Sequence, residues 1–241
     1  WWLKVLNMAD AWDFTKGSGV TVAVVDSGIA LTHPELQGNL WINQAEKNGT
    51  AGVDDDGNGY VDDINGWDFV ENDNSPTDLF GHGTHIAGIV GALGDNNKGI
   101  SGIAPRSSLM AVRVLDNRGD GSWDDVADGV RYAAAMGAKV INLSIGDTTS
   151  AMSSTEIQLI TDAIAYARSR GAIVVAAAGN SYGDIANMTP AVFDNVIAVG
   201  ALRHPYDTSY GSGALGRANF SAYGDKLDFM APGVDILSLA A

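Results

Sequence analysis

The chain has 241 residues, of which 46% are apolar and 18% are charged, so it can bury a large core. Its 14 basic and 29 acidic residues give a formal net charge of −15, and such a surface repels the phosphates of nucleic acids. No apolar run approaches the roughly 20 residues of a transmembrane helix, and the absence of cysteine excludes disulfides and a thiol nucleophile. The length fits one large α/β domain or two small ones, and because no long linker divides the chain we expect a single domain, 1–241, with neither nucleic acid nor membrane as a partner.

The first 19 residues contain neither a signal peptide nor a phosphate-binding loop. Trp1-Trp2-Leu3-Lys4 lacks a basic head and a small-residue cleavage site, so we expect a mature or excised piece of a protein. The glycines of Lys16-Gly17-Ser18-Gly19 precede the first predicted strand, whereas a phosphate-binding loop follows its strand. This position argues against a nucleotide-binding α/β protein.

Strands and helices alternate along the rest of the chain. Short apolar runs predict strands that are buried on both faces of a parallel sheet, and longer segments with one apolar face predict helices. The alternation predicts a three-layer α/β fold, in which helices cover both faces of a mostly parallel, twisted sheet. Functional groups of such folds lie beyond the carboxyl ends of the strands. The predicted strands are 20–25, 109–115, 139–143, 172–176 and 195–199, and the predicted helices are about 82–93, 123–136 and 154–169.

The first predicted strand runs into Asp26-Ser27-Gly28. An ionisable side chain directly after a buried strand costs free energy unless another group holds it. By itself, Asp26 is typical of a helix-capping or turn residue. It becomes a candidate for catalysis only together with other segments.

An acidic insertion at about 43–68 contains a loop, 54–65, that resembles a calcium-binding loop. Gly59 stands at position 6, where such a loop turns sharply, and Asn65 replaces the usual glutamate at position 12. The alternative is a pair of Asp-Gly and Asn-Gly turns surrounded by solvated acids. Five carboxylates would repel one another without a cation, so the pattern favours calcium. The predicted ligands are Asp54, Asp56, Asn58, Tyr60, Asp62 and Asp63.

The segment Gly81-His82-Gly83-Thr84-His85 opens an apolar helix. Its glycines allow a neighbouring backbone or a substrate to approach the His82 imidazole. We expect His85, one turn further on, to be hydrogen-bonded in the core. Zinc binding by the pair is disfavoured, because two histidines three residues apart without a third ligand are a weak metal signal.

Small residues follow a later strand in Ala176-Ala177-Ala178-Gly179-Asn180. They leave room for a substrate, and the Asn180 amide is able to donate a hydrogen bond to developing negative charge. Alone, Asn180 is an ordinary loop residue.

Together these segments resemble the subtilisin-like serine proteases, the subtilases. Asp26-Ser27-Gly28 matches the Asp motif of the family, His82-Gly83-Thr84-His85 its His motif, and Ala178-Gly179-Asn180 its oxyanion-hole segment. The triad order Asp, His, Ser is that of this family. The resemblance covers residues 11–239 and extends to His33-Pro34-Glu35-Leu36, Gly102-Ile103-Ala104-Pro105, Asn142-Leu143-Ser144-Ile145-Gly146 and Met230-Ala231-Pro232-Gly233.

The resemblance implies a serine-type endopeptidase in which Asp26, His82 and Asn180 assist a nucleophilic serine. The serine of the family lies in a Gly-Thr-Ser-Met-Ala motif, which these 241 residues do not contain. Ser144 matches a substrate-lining segment, and Ser238 is expected in the strand after Ala-Pro-Gly, so neither is assigned as the nucleophile. We therefore expect this chain to be inactive alone. The alternative is a truncated, non-catalytic relative that binds peptides or calcium.

The same resemblance implies how a substrate binds. A peptide would lie in an extended conformation between two glycine-containing edges, because backbone pairing there needs little side-chain volume. Small walls predict an apolar or aromatic side chain before the scissile bond. The implied binding residues are Gly119, Gly121, Ser144, Ile145, Gly146, Ala177, Ala178 and Gly179.

A second calcium site is implied by the resemblance alone. Its ligands would be Glu35, the side chain of Asn96 and the backbone oxygens of Gly94, Lys98 and Ile100. The family also implies a secreted, extracellular monomer whose partners are protein or peptide substrates, and its own propeptide or C-terminal fragment.

Overall fold

Ten strands and six α-helices are described in the computed structural model, which covers residues 1–204 and 215–241. No helix within these residues is long and apolar enough to cross a membrane. The helices are α1 (Trp2–Val5), α2 (Met8–Phe14), α3 (Gln44–Asn48), α4 (His82–Gly91), α5 (Trp123–Ala135) and α6 (Ser154–Ser169). The strands are β1 (Thr21–Asp26), β2 (Gly66–Asp68), β3 (Ser108–Arg113), β4 (Val140–Leu143), β5 (Asp147–Thr148), β6 (Ile173–Ala177), β7 (Met188–Thr189), β8 (Val196–Arg203), β9 (Gly216–Arg217) and β10 (Phe229–Pro232).

The central sheet has eight strands, and its main path follows the order β10-β8-β6-β4-β1-β3-β2. All neighbours along this path pair in parallel, and β9 adds an antiparallel pair to the end of β8. A separate antiparallel ribbon joins β5 to β7. The predicted mostly parallel sheet is confirmed, and the five predicted strands form where expected, with β8 extending further.

Helices pack on both faces of the sheet, as predicted. On one face, α5 and α6 bury Val126, Val130, Ile160 and Ile164 against the strands, because these apolar side chains recur at helical spacing. On the other face, α4 packs on β1 and β3, where Ala87 is buried with the residues of a second, smaller core. The three-layer arrangement is complete over β1 and β3.

The half of the sheet formed by β4, β6, β8 and β10 has a described helix on one face only. Ile141, Val174 and Ala198 point to the covered face and are buried. Their neighbours alternate to the opposite face, as strand geometry requires. That face is partly exposed, with Ile173 at 51% and Phe229 at 61% exposure.

Candidate active site

The polar side chains predicted from the sequence meet at the carboxyl edge of the central strands. Asp26 is the last residue of β1 and is fully buried, and His82 is the first residue of α4. The His82 Nδ1 atom lies 2.8 Å from Asp26 Oδ1 and 2.9 Å from Asp26 Oδ2. In the tautomer that donates from Nδ1, the other ring nitrogen, Nε2, is left as a base.

The carboxylate of Asp26 is held on two sides. Its Oδ1 also accepts the backbone N–H of Ser27 at 2.7 Å, so the acid faces donors although it is buried. Across the described residues, Asp26 is the group that hydrogen-bonds the His82 ring. The pair therefore has a fixed orientation, with the partly exposed His82 side chain facing a cleft.

The surroundings of His82 favour its protonated form. The hydrogen bond that Nδ1 donates to Asp26 raises the pKa of the His82 imidazole above its usual value, burial opposes this effect, and the charges of Asp26 and Asp78 add to the rise. An imidazolium that forms during proton transfer is thus stabilised in place.

Two glycines allow the Asp26 and His82 segments to approach each other. A Cβ at Gly83 would lie 2.1 Å from the carbonyl oxygen of Gly28, which excludes any larger residue without a backbone shift. Gly28 itself has φ +103°, a conformation that favours glycine. The glycines flanking the motifs therefore serve backbone contact between β1 and α4.

A cleft of about 640 Å³ opens beside His82. Asn180 lies on its wall with an exposed side chain, as the predicted oxyanion donor requires. Of the predicted substrate-binding residues, all but Ala178 line the cleft; Ala178 is 1% exposed and packs in the core. The lining residues that sequence reasoning identified are Gly119, Gly121, Ser144, Ile145, Gly146, Ala177 and Gly179.

Other lining residues had no sequence signal, because only the tertiary fold brings them to the cleft. Met188 is the clearest case: it lies on β7, and its Cε atom would be 2.3 Å from a Cβ placed at Gly179, which has φ +102°. The cleft therefore has an apolar wall beside Asn180. Further residues of this kind are Phe80, Leu115, Trp123, Val126 and Thr148.

Ser238 and His85 contact each other, and Ser238 lies outside any strand, contrary to the prediction. Ser238 does not lie in a strand; it follows β10 in an extended segment, and its Oγ donates to the carbonyl oxygen of His85 at 2.6 Å. The prediction of a strand was wrong because the described residues offer this segment no neighbouring strand to pair with. His85 is partly buried, and its Nε2 lies 3.2 Å from the carbonyl oxygen of Ile236, in line with a structural role.

The acidic insertion contains a cluster of three carboxylates whose oxygens all lie within 4.8 Å of one another: Glu46, Asp56 and Asp63. Glu46 is a residue that sequence reasoning missed, since it lies on α3, outside the loop 54–65. Its buried carboxylate accepts N–H groups from Asp55 at 2.8 Å and from Asp62 at 2.9 Å. The loop thus folds around Glu46.

Asp63 forms the buried side of this carboxylate cluster. It accepts a hydrogen bond from the Tyr132 hydroxyl at 2.6 Å, and the Asn43 amide donates to both Asp56 and Asp63. Burial raises the pKa of the Asp63 carboxyl, while hydrogen bonds from Tyr132, Asn43 and Asn58 oppose the rise. Two buried carboxylates beside a third acid are a strained arrangement for anions alone.

Asp54 is hydrogen-bonded within its own loop. Its carboxylate accepts backbone N–H groups from Gly57 at 2.7 Å, Asn58 at 3.1 Å and Gly59 at 2.8 Å. These bonds, the one from Gly59 above all, lower the pKa of the Asp54 carboxyl. Asp54 thus closes the loop turn and is outside the carboxylate cluster, as is Asp62, which accepts an N–H from Gly52.

Two of the predicted ligands of the second calcium site, Glu35 and Asn96, contact each other. Glu35 is 6% exposed, and the Asn96 amide nitrogen lies 3.2 and 3.1 Å from its two carboxylate oxygens. The Asn96 oxygen accepts the backbone N–H of Lys98 at 3.0 Å. A Cβ at Gly99 would lie 3.3 Å from Glu35, so the loop 94–100, with Gly94 and Ile100 at its ends, closes over this carboxylate.

A buried aspartate that orients a histidine beside an open cleft is the arrangement with which serine hydrolases activate a hydroxyl. The profile described as "Subtilase family" matches residues 17–240, and the chain belongs to this family of serine endopeptidases. It is 41% identical to thermitase of Thermoactinomyces vulgaris, covering 97% of this chain and 70% of that protein.

Two further comparisons agree with this assignment. A thermophilic serine proteinase of Bacillus sp. (strain AK1) is 43% identical over 95% of this chain, which spans 47% of that protein. The solved structure of a cold adapted subtilisin-like serine proteinase matches with a TM-score of 0.70 and 29% identity, covering 94% of this chain and 67% of that one. The subtilisin-like fold is thus confirmed.

Proposed function

We propose that the protein hydrolyses peptide bonds with a catalytic triad, to which this chain contributes Asp26 and His82, and with Asn180 as the oxyanion donor. The observation that carries the proposal is the bond of 2.8 Å between His82 Nδ1 and the buried Asp26 carboxylate at the edge of the cleft. A histidine whose pKa is raised by a buried carboxylate beside an open cleft is typical of a functional site.

In this mechanism His82 Nε2 takes the proton of a serine hydroxyl as the serine oxygen bonds to the peptide carbonyl carbon. Asp26 keeps the proton on Nδ1 and stabilises the imidazolium. Asn180 donates to the oxyanion, a contribution worth about 10²–10³ in kcat when such a donor was removed from a subtilisin. His82 then passes its proton to the leaving amine, and water hydrolyses the acyl-enzyme.

The nucleophile is expected from sequence beyond Ala241. Residues 1–241 contain no Gly-Thr-Ser-Met-Ala motif, and no serine of the described residues is hydrogen-bonded to His82. This second observation also supports the alternative function, a non-catalytic module that binds peptides or calcium.

We propose an extended peptide as the substrate. Gly119 and Gly121 on one side and Ser144, Ile145 and Gly146 on the other line the cleft, and backbone pairing along such edges is a common mode of peptide recognition. Ala177 and Met188 give the wall near Asn180 an apolar character, which favours an apolar or aromatic side chain before the scissile bond.

Calcium is the proposed cofactor, with Glu46, Asp56 and Asp63 as carboxylate ligands. These residues fit the ion, because they bring three oxygen donors together and two of them are buried charges that a cation would compensate. Asn58 and Tyr60 lie in the same loop and remain proposed ligands, as do Asp54 and Asp62. Glu35 and Asn96 are proposed for a second ion, with backbone oxygens of Gly94, Lys98 and Ile100. When bound, calcium stabilises the folded loops and takes no part in proton transfer.

A secreted, extracellular location and a monomeric state are proposed on the family resemblance, with a propeptide or C-terminal fragment of the same protein as a further partner. Extracellular calcium sites are weak, in the range of 10⁻⁴–10⁻³ M, and a loop-bound ion suits such surroundings. Detection of the mature protein in the culture medium and a monomeric mass in solution test these two points.

The experiment that tests the proposed function is peptide hydrolysis by the full-length protein, with His82→Ala as the variant and His85→Ala as the control. Loss of the general base should lower kcat by several orders of magnitude, because the triad acts as a unit. His85→Ala, which removes a histidine from the same helix, should leave kcat close to that of the wild type. Equal kcat values for wild type and His82→Ala would refute the proposal and favour the binding module.

A further inference from the structure

A buried carboxylate that the mechanism does not use lies next to the catalytic pair. Asp78 is 5% exposed, and it precedes α4 by four residues. Its Oδ1 accepts the backbone N–H groups of Phe80 at 3.0 Å and Gly81 at 2.7 Å, and its Oδ2 accepts that of Thr84 at 2.8 Å. Asp78 thereby binds the first turn of the helix on which His82 lies.

The same carboxylate also reaches the strand that ends in Asp26. The Ser27 hydroxyl donates to Asp78 Oδ1 at 2.9 Å, and the Ser27 oxygen accepts the backbone N–H of Gly83 at 2.9 Å. Ser27 is fully buried, so these bonds are shielded from water. The two residues on either side of the catalytic bond, Ser27 after Asp26 and Gly83 after His82, are therefore joined through one hydroxyl.

Asp78 remains ionised in this position. Burial opposes ionisation, but the hydrogen bonds from Thr84, Gly81 and Phe80 outweigh it and lower the pKa of the Asp78 carboxyl. Its negative charge favours the imidazolium form of His82. Of the other acids, Asp26 contacts the His82 ring, and Asp120 and Asp147 line the same cleft as His82.

We propose that Asp78 is a positioning residue for the catalytic pair: through Ser27 and the first turn of α4 it fixes the His82 ring against Asp26. This inference rests on the proposed function and adds a residue that acts on the histidine without contacting the substrate. Displacement of a reacting group by about 1 Å costs about 10²-fold in rate, so a carboxylate that sets this distance matters for kcat.

The test uses Asp78→Asn in the full-length protein, with Asp73→Asn as the matched control. Asp73 is an exposed acid before the same helix, whose side chain accepts only the N–H of Ser75 among the described residues. The amide of Asp78→Asn keeps the size of the side chain, but its nitrogen cannot accept, so either Ser27 or the helix loses its acceptor. We measure kcat and KM, the His82 pKa by NMR titration, and the thermal midpoint.

Asp78→Asn should lower kcat by about 10- to 100-fold, leave KM within about twofold and lower the His82 pKa, whereas Asp73→Asn should change none of these. A folded Asp78→Asn protein with wild-type kcat and wild-type His82 pKa would overturn the inference, as would a loss of stability with an unchanged His82 pKa. If Asp78→Asn does not fold, Ser27→Ala decides: a several-fold lower kcat at constant KM supports the inference, and an unchanged kcat overturns it.

The His82 titration separates this inference from the proposed function. If the wild-type protein hydrolyses no peptide, the proposed function fails. A lower His82 pKa in Ser27→Ala, which removes the connecting hydroxyl without a change of charge, would still support the positioning role of Asp78, and an unchanged pKa would overturn it.

Discussion

At the scale of single residues, the proposed catalysis depends on the hydrogen bond that the His82 ring donates to Asp26. The raised pKa of His82 arises first from its hydrogen bond with Asp26. Such a bond stabilises the folded protein fully below the ordinary histidine pKa of about 6.5, and this contribution is lost as the pH rises through the higher folded pKa. In the proposed mechanism the active form is the neutral imidazole. As the pH rises, activity should therefore increase while the stabilisation that this hydrogen bond provides decreases.

The pH profile of Asp26→Asn follows from this balance. In the wild-type protein kcat/KM should rise with pH through an apparent pKa above 6.5, and Asp26→Asn should shift that pKa down. The amide also disfavours the tautomer with the proton on Nδ1, so kcat should fall by about 10⁴-fold, as in the corresponding change of a serine protease. Rate measurements from pH 5 to 10 check both effects; a profile that is unchanged in Asp26→Asn would contradict them.

At the scale of secondary-structure elements, hydrogen bonds join the loop of the acidic insertion to two helices. Glu46 of α3 accepts backbone N–H groups from the loop, and Asp63 accepts the Tyr132 hydroxyl of α5. The carboxylate cluster therefore links α3, the loop 54–65 and α5. A cation bound there would stabilise this link, because it binds the folded state only.

Glu46→Gln tests the calcium site, with the exposed Glu71→Gln as the control. In the full-length wild-type protein, calcium at a hundredfold excess over Kd adds about 2.7 kcal/mol of stability. For a domain of this size this corresponds to a rise of roughly 5–10 °C in Tm. Glu46→Gln should lose most of the calcium-dependent rise, and Glu71→Gln should keep it. A Tm that does not respond to calcium or chelator in the wild-type protein would refute the site.

At the scale of the whole molecule, the sequence predicted features that depend on local pattern. Asp26 and His82 are terminal residues of regular elements and Asn180 follows one, and the parallel sheet brings those ends to one edge. Glu46 and Met188 were missed, because only tertiary folding moves them next to the loop and the cleft. Asp54 also accepts three backbone N–H groups of its own loop, contacts that its spacing alone did not indicate.

One face of the central sheet is partly exposed along β6 and β8. Strands β6 and β8 alternate between side chains that α6 covers and side chains that no described helix covers. The cleft, with His82 at its edge, opens at the carboxyl end of this part of the sheet. The proposed nucleophile would reach His82 from this end of the sheet.

Covalent labelling of a serine tests directly whether Asp26 and His82 activate a nucleophile that lies outside residues 1–241. Residues 1–241 and the full-length protein are each treated with a fluorophosphonate, which reacts with an activated serine, and their intact masses are measured. We predict no adduct on residues 1–241, one adduct on the full-length protein at a serine beyond Ala241, and none on full-length His82→Ala. A stoichiometric adduct on any serine within residues 1–241 would contradict the account, as would a full-length protein that is not labelled at all.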